Sequence, residues 1–63
     1  MTLPEKALFT FQETCEFLQI KASRLRTAVF RKEIPFIKIG RLLRFDPKDL
    51  KEWIERLKQN KEN

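Results

Sequence analysis

The side chains with the clearest chemical potential are the basic ones in the middle third of the chain. Residues 21–44 hold eight lysines and arginines against one glutamate, a net charge of +7, whereas residues 1–20 carry −2 and residues 45–63 are neutral. Such a concentrated excess attracts polyanions. The eight cations are Lys21, Arg24, Arg26, Arg31, Lys32, Lys38, Arg41 and Arg44. Five are arginines, whose guanidinium groups match phosphates and guanine edges better than lysine does, so the pattern favours nucleic-acid binding over a generally solvated basic surface.

Residue types that serve catalysis or metal binding are scarce. The chain has no histidine and one cysteine, Cys15, which rules out an intrachain disulfide and leaves only carboxylates for a zinc site. No base lies near Cys15 in the sequence to activate its thiol, so we interpret it as a small core residue. The acidic residues of 46–55 read as helix caps and solvated charges. We therefore expect a non-enzymatic protein that uses no cofactor and no metal.

Length and hydropathy limit the class of protein further. Sixty-three residues make one domain, which buries only ~60% of its unfolded surface and is marginally stable. No apolar run is long enough for a membrane span, and the N-terminus lacks the layout of a signal peptide. We therefore expect a cytoplasmic protein with no membrane partner. Within the single domain 1–63, we expect a loose arm at 1–8, where Pro4 breaks any helix, and a frayed tail at 58–63.

Two short helices with a tight link are predicted for the first half of the chain. Thr10 and Glu13 have the spacing of a capping box, and an apolar stripe follows over residues 11–18. After a link of three or four residues, a second helix is predicted over about 22–31, with Leu25, Ala28 and Val29 facing inward. Its opposite side carries Ser23, Thr27 and Phe30, flanked by Arg24 and Arg31 on one edge and Arg26 on the other. Two helices of this kind are typical of a helix-turn-helix.

A β-hairpin is predicted after Pro35. The β-rich runs 36–39 and 42–45 lie on either side of Gly40, the only glycine in the chain, which supplies the positive φ that a tight turn needs. Lys38, Arg41 and Arg44 place positive charge on and beside this turn. These charges are interpreted as a DNA-contacting wing, against the alternative that they only keep an edge strand soluble.

The last helix has the clearest start. Asp46 is an N-cap, Pro47 takes the first helical position, and Asp49 lies in the first turn. An apolar stripe then follows at helical spacing: Leu50, Trp53, Ile54 and Leu57. Trp53 lies on this stripe, so we interpret it as the central core residue rather than a base-stacking platform. The predicted fold class is mostly α with a small β-hairpin (α+β): a winged helix-turn-helix with three helices and a two-stranded wing.

With this order of elements, the sequence resembles the excisionase-like branch of the MerR-like winged-helix DNA-binding domains over residues 9–57. The most specific stretch is Ile34-Pro35-Phe36-Ile37-Lys38-Ile39-Gly40-Arg41, followed by Leu43-Arg44-Phe45 and by Asp49-Leu50-x-x-Trp53-Ile54. The opening segment from Phe9 to Leu18 is similar to the first helix of the family, with Cys15 where alanine is usual. The resemblance implies that Ala22 to Thr27 lie on a recognition helix and that Arg41 probes the DNA backbone or minor groove.

Three positions depart from the pattern of that family. Gln19 stands where the turn between the first two helices often has glycine, and Lys21 stands where the recognition helix often has a serine or threonine cap. Lys32 follows that helix where glycine is frequent. A left-handed conformation there costs a non-glycine residue ~1–2 kcal/mol.

Several functions fit these features. The first is a recombination directionality factor, or excisionase, of a mobile element, which binds and bends double-stranded DNA beside an attachment site and works with a tyrosine-type integrase. A protein of this size reads few base pairs, so cooperative self-association on DNA is expected. The second is a small transcriptional regulator. The third is a protein-interaction module whose basic face docks on an acidic partner. An exposed Phe30 fits that alternative, although this side chain equally suits a thymine methyl group.

Overall fold

Three helices and one hairpin follow one another in the computed structural model, which describes residues 7–60. The elements are α1 (Phe11–Leu18), α2 (Ala22–Phe30), β1 (Ile37–Ile39), β2 (Leu42–Arg44) and α3 (Pro47–Asn60). The strands form an antiparallel two-stranded sheet. This architecture confirms the predicted winged helix-turn-helix class. The predicted loose arm falls mostly on residues 1–6, which lie outside the described residues.

The capping box at the start of α1 is confirmed. The Thr10 hydroxyl accepts a hydrogen bond from the Glu13 backbone N–H at 3.1 Å, and the Glu13 carboxylate accepts one from the Thr10 N–H at 2.9 Å. Thr14, one turn into the helix, is fully buried, and its hydroxyl donates to the Thr10 carbonyl at 2.8 Å. A polar group therefore sits in the core without an unsatisfied donor.

Both helices of the helix pair end on left-handed residues that are not glycine. Gln19 has φ 59° after α1, and Lys32 has φ 57° after α2. The Lys32 and Glu33 N–H groups donate to the carbonyls of Val29 and Ala28 at 3.0 and 2.8 Å, which is the Schellman pattern of a helix C-terminus. The second helix therefore ends at Phe30, one residue before the predicted end, because the left-handed conformation of Lys32 prevents the helix from continuing.

The hairpin has the predicted position and a defined turn. Ile37 pairs with Arg44, and Ile39 pairs with Leu42, so Gly40 and Arg41 form a two-residue loop. Gly40 has φ 63°, while Arg41 is not among the residues with positive φ. Positive φ at the first loop residue alone is the pattern of a type II′ turn, which suits the twist of a hairpin and explains why glycine occupies this position.

The core is built where the helix pair, the hairpin and α3 meet. Leu25, Phe45 and Leu50 are fully buried there, and Ile34 and Cys15 are nearly so, which confirms Cys15 as a core residue. One further contact was not predicted from the sequence: the backbones of Phe9 and Phe45 form an isolated antiparallel bridge, with N–H to carbonyl distances of 2.7 and 2.9 Å. This bridge ties the segment before α1 to the end of the hairpin.

The last helix begins as predicted but continues further. The Asp46 carboxylate caps it by accepting from the Lys48 N–H at 2.9 Å. The helix runs to Asn60, so the prediction that the chain frays from residue 58 is wrong for residues 58–60, and residues 61–63 lie outside the described part. Strong helix formers and the Glu55–Lys58 pair at 3.5 Å favour this extra turn, and neither glycine nor proline interrupts it.

The interpretation of Trp53 as the central core residue is wrong. Trp53 is half-buried and packs against the edge of the core, because its indole N–H needs a hydrogen-bond partner and finds one in the Glu33 carbonyl at 2.9 Å. The centre belongs instead to Leu50, one turn earlier on the same stripe. Leu57, at the other end of that stripe, is 49% exposed because α3 extends beyond the elements that it covers. No helix within residues 7–60 is long and apolar enough to cross a membrane.

Candidate nucleic-acid interface

The outer face of α2 has the orientation that the sequence predicts. Leu25 is fully buried and Ala28 and Val29 are half-buried against the core, whereas Ser23 and Thr27 on the opposite side are exposed. The Thr27 hydroxyl donates to the Ser23 carbonyl one turn earlier at 3.0 Å. Its oxygen can still accept a hydrogen bond, and the polar face of α2 is thereby open to a ligand.

The three arginines on and directly after α2 are held in different ways. The guanidinium of Arg26 lies over the Phe11 ring of α1, 5.4 Å from its centroid, which is a cation–π contact between the two helices. Arg31 lies 3.9 Å from the carboxylate of Glu33, the one acidic residue in the basic stretch, and both side chains are well exposed. Such an exposed pair is weak and can be exchanged for a phosphate. Arg24 lines an open depression at the start of α2 with Lys21 and Thr27.

A second open depression lies between α2 and the hairpin. Lys38 and Arg41 line it from the hairpin, and Phe30 lines it from α2. Lys32, which the sequence analysis did not propose as a site residue, adds a further cation to its wall. Its position in the sequence, within the basic stretch and directly after the predicted helix, could have identified Lys32 as a site residue. The end of α2 and the hairpin thus line one shared depression, whose cations come from the hairpin and from Lys32.

Arg44 is the predicted wing residue that the structure does not bring to this surface. Its partner in the sheet is Ile37, and side chains alternate between the two faces of a strand, so Arg44 lies on the opposite face of the hairpin from Lys38. It is half-buried, and its guanidinium donates to the Leu43 carbonyl at 2.8 Å. Ile39 and Leu42, about half exposed, share this other face.

Comparison with known families agrees with this geometry. The family model described as a helix-turn-helix domain matches residues 8–58, which include α1, α2, the hairpin and all but the last two residues of α3. The chain belongs to this helix-turn-helix family. Membership of a helix-turn-helix family implies that the domain binds DNA. Neither the curated proteins nor the solved structures contained a match to the chain.

The helix-turn-helix domain also offers backbone donors at the start of its second helix. The N-cap of α2 is Lys21, whose side chain makes no capping hydrogen bond, and the Arg24 N–H donates to the Lys21 carbonyl at 3.0 Å, so the N–H groups left at this end are those of Ala22 and Ser23. The N-terminus of a helix with free N–H groups favours an anion such as a phosphate. The departure from a serine or threonine cap is thus compatible with binding to a DNA backbone.

Within the described residues, the domain holds no group of three histidine, cysteine, aspartate or glutamate side chains that could bind a metal ion. The basic surface itself offers positive charge, hydrogen-bond donors and one exposed aromatic ring.

Proposed function

We propose that this chain is a sequence-specific double-stranded DNA-binding protein that inserts α2 into the major groove and lays the hairpin alongside as a wing. One observation carries the proposal: exposed cations of α2 and of the hairpin line depressions that meet at Phe30. The proposed contacts from the recognition helix are Ala22, Ser23, Arg24, Arg26, Thr27, Phe30 and Arg31. Those from the wing are Lys38, Gly40, Arg41 and Arg44.

The dimensions of α2 suit this placement. A helix with its side chains is ~10–12 Å wide, and the major groove is ~12 Å wide. The nine residues of α2 extend over about 13 Å, which is enough to reach several base pairs. Arg24 and Thr27 lie on the exposed side of the helix and are the proposed base-reading residues, whereas Arg26 and Arg31 at its edges are proposed to contact phosphates.

The wing is proposed to contact the flank of the site. Gly40 sharply turns the chain, which puts Arg41 at the end of the hairpin with Lys38 behind it on the face towards α2. A guanidinium at such a tip suits a minor groove, where narrow A·T-rich stretches concentrate negative potential. Arg44, on the other face of the hairpin, is proposed to contribute to phosphate binding from the outside.

A salt titration tests DNA binding directly. If four to six phosphates are neutralised, the logarithm of the binding constant should fall against the logarithm of salt concentration with a slope of roughly −3.5 to −5.5. The matched control is Arg56→Ala, which removes an exposed arginine from α3 and should leave this slope unchanged. A slope near zero for the parent chain would contradict the proposal.

The biological role that we propose is that of an excisionase, which directs a tyrosine-type integrase towards excision of a mobile element. The resemblance of residues 34–54 to excisionase-like proteins supports it, as does the small number of base pairs that one copy reads, which calls for cooperative self-association on DNA. An in vitro recombination assay with a tyrosine-type integrase and DNA that carries its attachment sites tests the role. Adding the chain should increase excision and decrease integration. Repression of a nearby promoter with no change in either reaction would instead indicate a transcriptional regulator.

A further inference from the structure

Phe30 is more exposed to solvent than any other large apolar residue in the described part of the chain. Its side chain is 84% exposed, whereas the other exposed large apolar residues, on α1, the hairpin and α3, are between 40% and 52% exposed. The ring therefore contributes little to the core. Within residues 7–60, no other ring and no cation stacks on Phe30, since the guanidinium of neighbouring Arg26 lies over Phe11 instead.

The position of Phe30 is more informative than its exposure. It continues the exposed stripe of Ser23 and Thr27 by one helical turn and lines one depression with them. On its other side it lines the depression that Lys38 and Arg41 share with it. The ring thus lies at the centre of the basic surface, between the cations of α2 and those of the wing.

A ligand for this surface must offer negative charge on both sides of a small apolar group. Duplex DNA has this arrangement in its major groove, where phosphates flank the bases and the thymine C5-methyl is the one apolar group on the base edges. A phenyl ring can neither donate nor accept a conventional hydrogen bond, so it gains nothing from the other edges. A protein partner at Phe30 would have to cover the cations that the proposed function assigns to phosphates.

We infer that Phe30 is a specificity-determining residue that recognises the C5-methyl group of a thymine in the major groove, at the side of the site nearest the wing. This inference rests on the proposed function, because it assumes that α2 enters the major groove. It predicts that the chain prefers a T·A pair at a fixed position and that the preference comes from one methyl group.

The experiment starts with selection of preferred duplexes from a random-sequence pool by the parent chain and by Phe30→Ala. The parent should enrich a thymine at one position, and Phe30→Ala should enrich the rest of the same sequence without that thymine. Deoxyuridine, which lacks only the methyl group, then replaces each thymine of the selected duplex in turn. At the recognised position the parent should lose roughly four-fold in affinity, the factor that corresponds to about 0.8 kcal/mol for one buried methyl group.

Two variants of Phe30 and a control variant on α3 distinguish the possible outcomes of this experiment. Phe30→Ala should bind the thymine and deoxyuridine duplexes equally and melt at the parent temperature, because the ring is not part of the core. Phe30→Leu should retain part of the discrimination. Leu57→Ala, which shortens an exposed apolar side chain on α3, should discriminate like the parent.

Two results overturn the inference alone: a selected sequence with no thymine sensitive to deoxyuridine, or equal sensitivity in the parent and Phe30→Ala. In the first case Phe30 is free for a protein partner, and in the second another residue reads the methyl group. Failure of the parent to enrich any sequence overturns the sequence-specific reading on which the inference rests. Failure to bind any duplex in a salt-dependent way overturns the proposed function as a whole.

Discussion

Removal of the Arg41 guanidinium distinguishes two possible roles of the hairpin: a wing that contacts DNA, or a scaffold that does not. Arg41 occupies the second position of the two-residue loop, is exposed, and has no hydrogen bond or ion pair to the rest of the described chain. Arg41→Ala should therefore change the free energy of unfolding by less than about 0.5 kcal/mol. Gly40 keeps the turn, so the hairpin itself should persist.

The effect of Arg41→Ala on affinity follows from counterion release. One lost phosphate contact lowers the magnitude of the salt slope by ~0.9. The contribution of counterion release to the binding free energy vanishes at 1 M salt. At 0.1 M salt, the variant should therefore bind about eight-fold more weakly than the parent, which corresponds to a binding free energy weaker by about 1.2 kcal/mol. The two binding curves should converge as salt increases.

Fluorescence anisotropy with a labelled duplex, measured at five or six salt concentrations, gives both slopes. Arg56→Ala provides the matched control, since it removes the same side chain from an exposed position on α3. In a footprint, Arg41→Ala should lose protection at the flank of the site and keep it at the centre. Equal affinity and equal slope for Arg41→Ala and the parent at every salt concentration would refute the wing and leave the hairpin as scaffold.

Four other substitutions test α2, the edge of the core and the turn after α2. Arg24→Ala or Thr27→Ala should relax sequence preference by roughly 1–3 kcal/mol, and equal weakening on selected and random duplexes would show that α2 is not the reader. Trp53→Ala should lower the free energy of unfolding by about 2–3 kcal/mol, less than the ~3–5 kcal/mol of a fully buried tryptophan, as measured by urea denaturation. Lys32→Gly should raise the melting temperature, because relief of ~1–2 kcal/mol of left-handed strain exceeds the added unfolded-state entropy of glycine, and a lower temperature would contradict the left-handed geometry.

Local rules were sufficient to predict most of the elements. The capping box at Thr10 and Glu13, the cap at Asp46 and the lone Gly40 each act within a few residues, so their effects are readable from the sequence. The left-handed geometry at Lys32 also follows from local position, since the resemblance expects glycine there. These signals determine where α1, the hairpin and α3 begin.

Features that depend on distant partners were not predicted. The pairing of Phe9 with Phe45 joins backbone groups far apart in the chain, and a backbone pairing has no signal in side-chain periodicity. The half-burial of Trp53 depends on the hydrogen bond from its indole N–H to the Glu33 carbonyl, and the turn after α2 determines where that carbonyl lies. An apolar stripe shows which side of a helix faces inward, but it does not show how far along the helix the covering elements extend.

For the candidate site, the sequence predicted which residues are basic but not which of them face the same way. The strand positions of Lys38 and Arg44 could have shown this difference, because a two-residue loop at Gly40 and Arg41 implies a register that puts them on opposite faces of the hairpin. Lys32 was missed because it follows the predicted helix rather than lying on it. Its part in the depression beside the wing depends on the turn that the structure shows.

The Phe9–Phe45 bridge has a consequence for the order of folding. The helix pair and the hairpin are made of contacts between residues close in the chain, whereas the bridge must close a long loop, and the entropy lost on closure rises with loop length. We therefore expect the bridge to form after the folding barrier, so that weakening it accelerates unfolding and leaves the refolding rate nearly unchanged. The segment of Phe9 is synthesised before any of the elements described here, yet we expect it to reach its native position last.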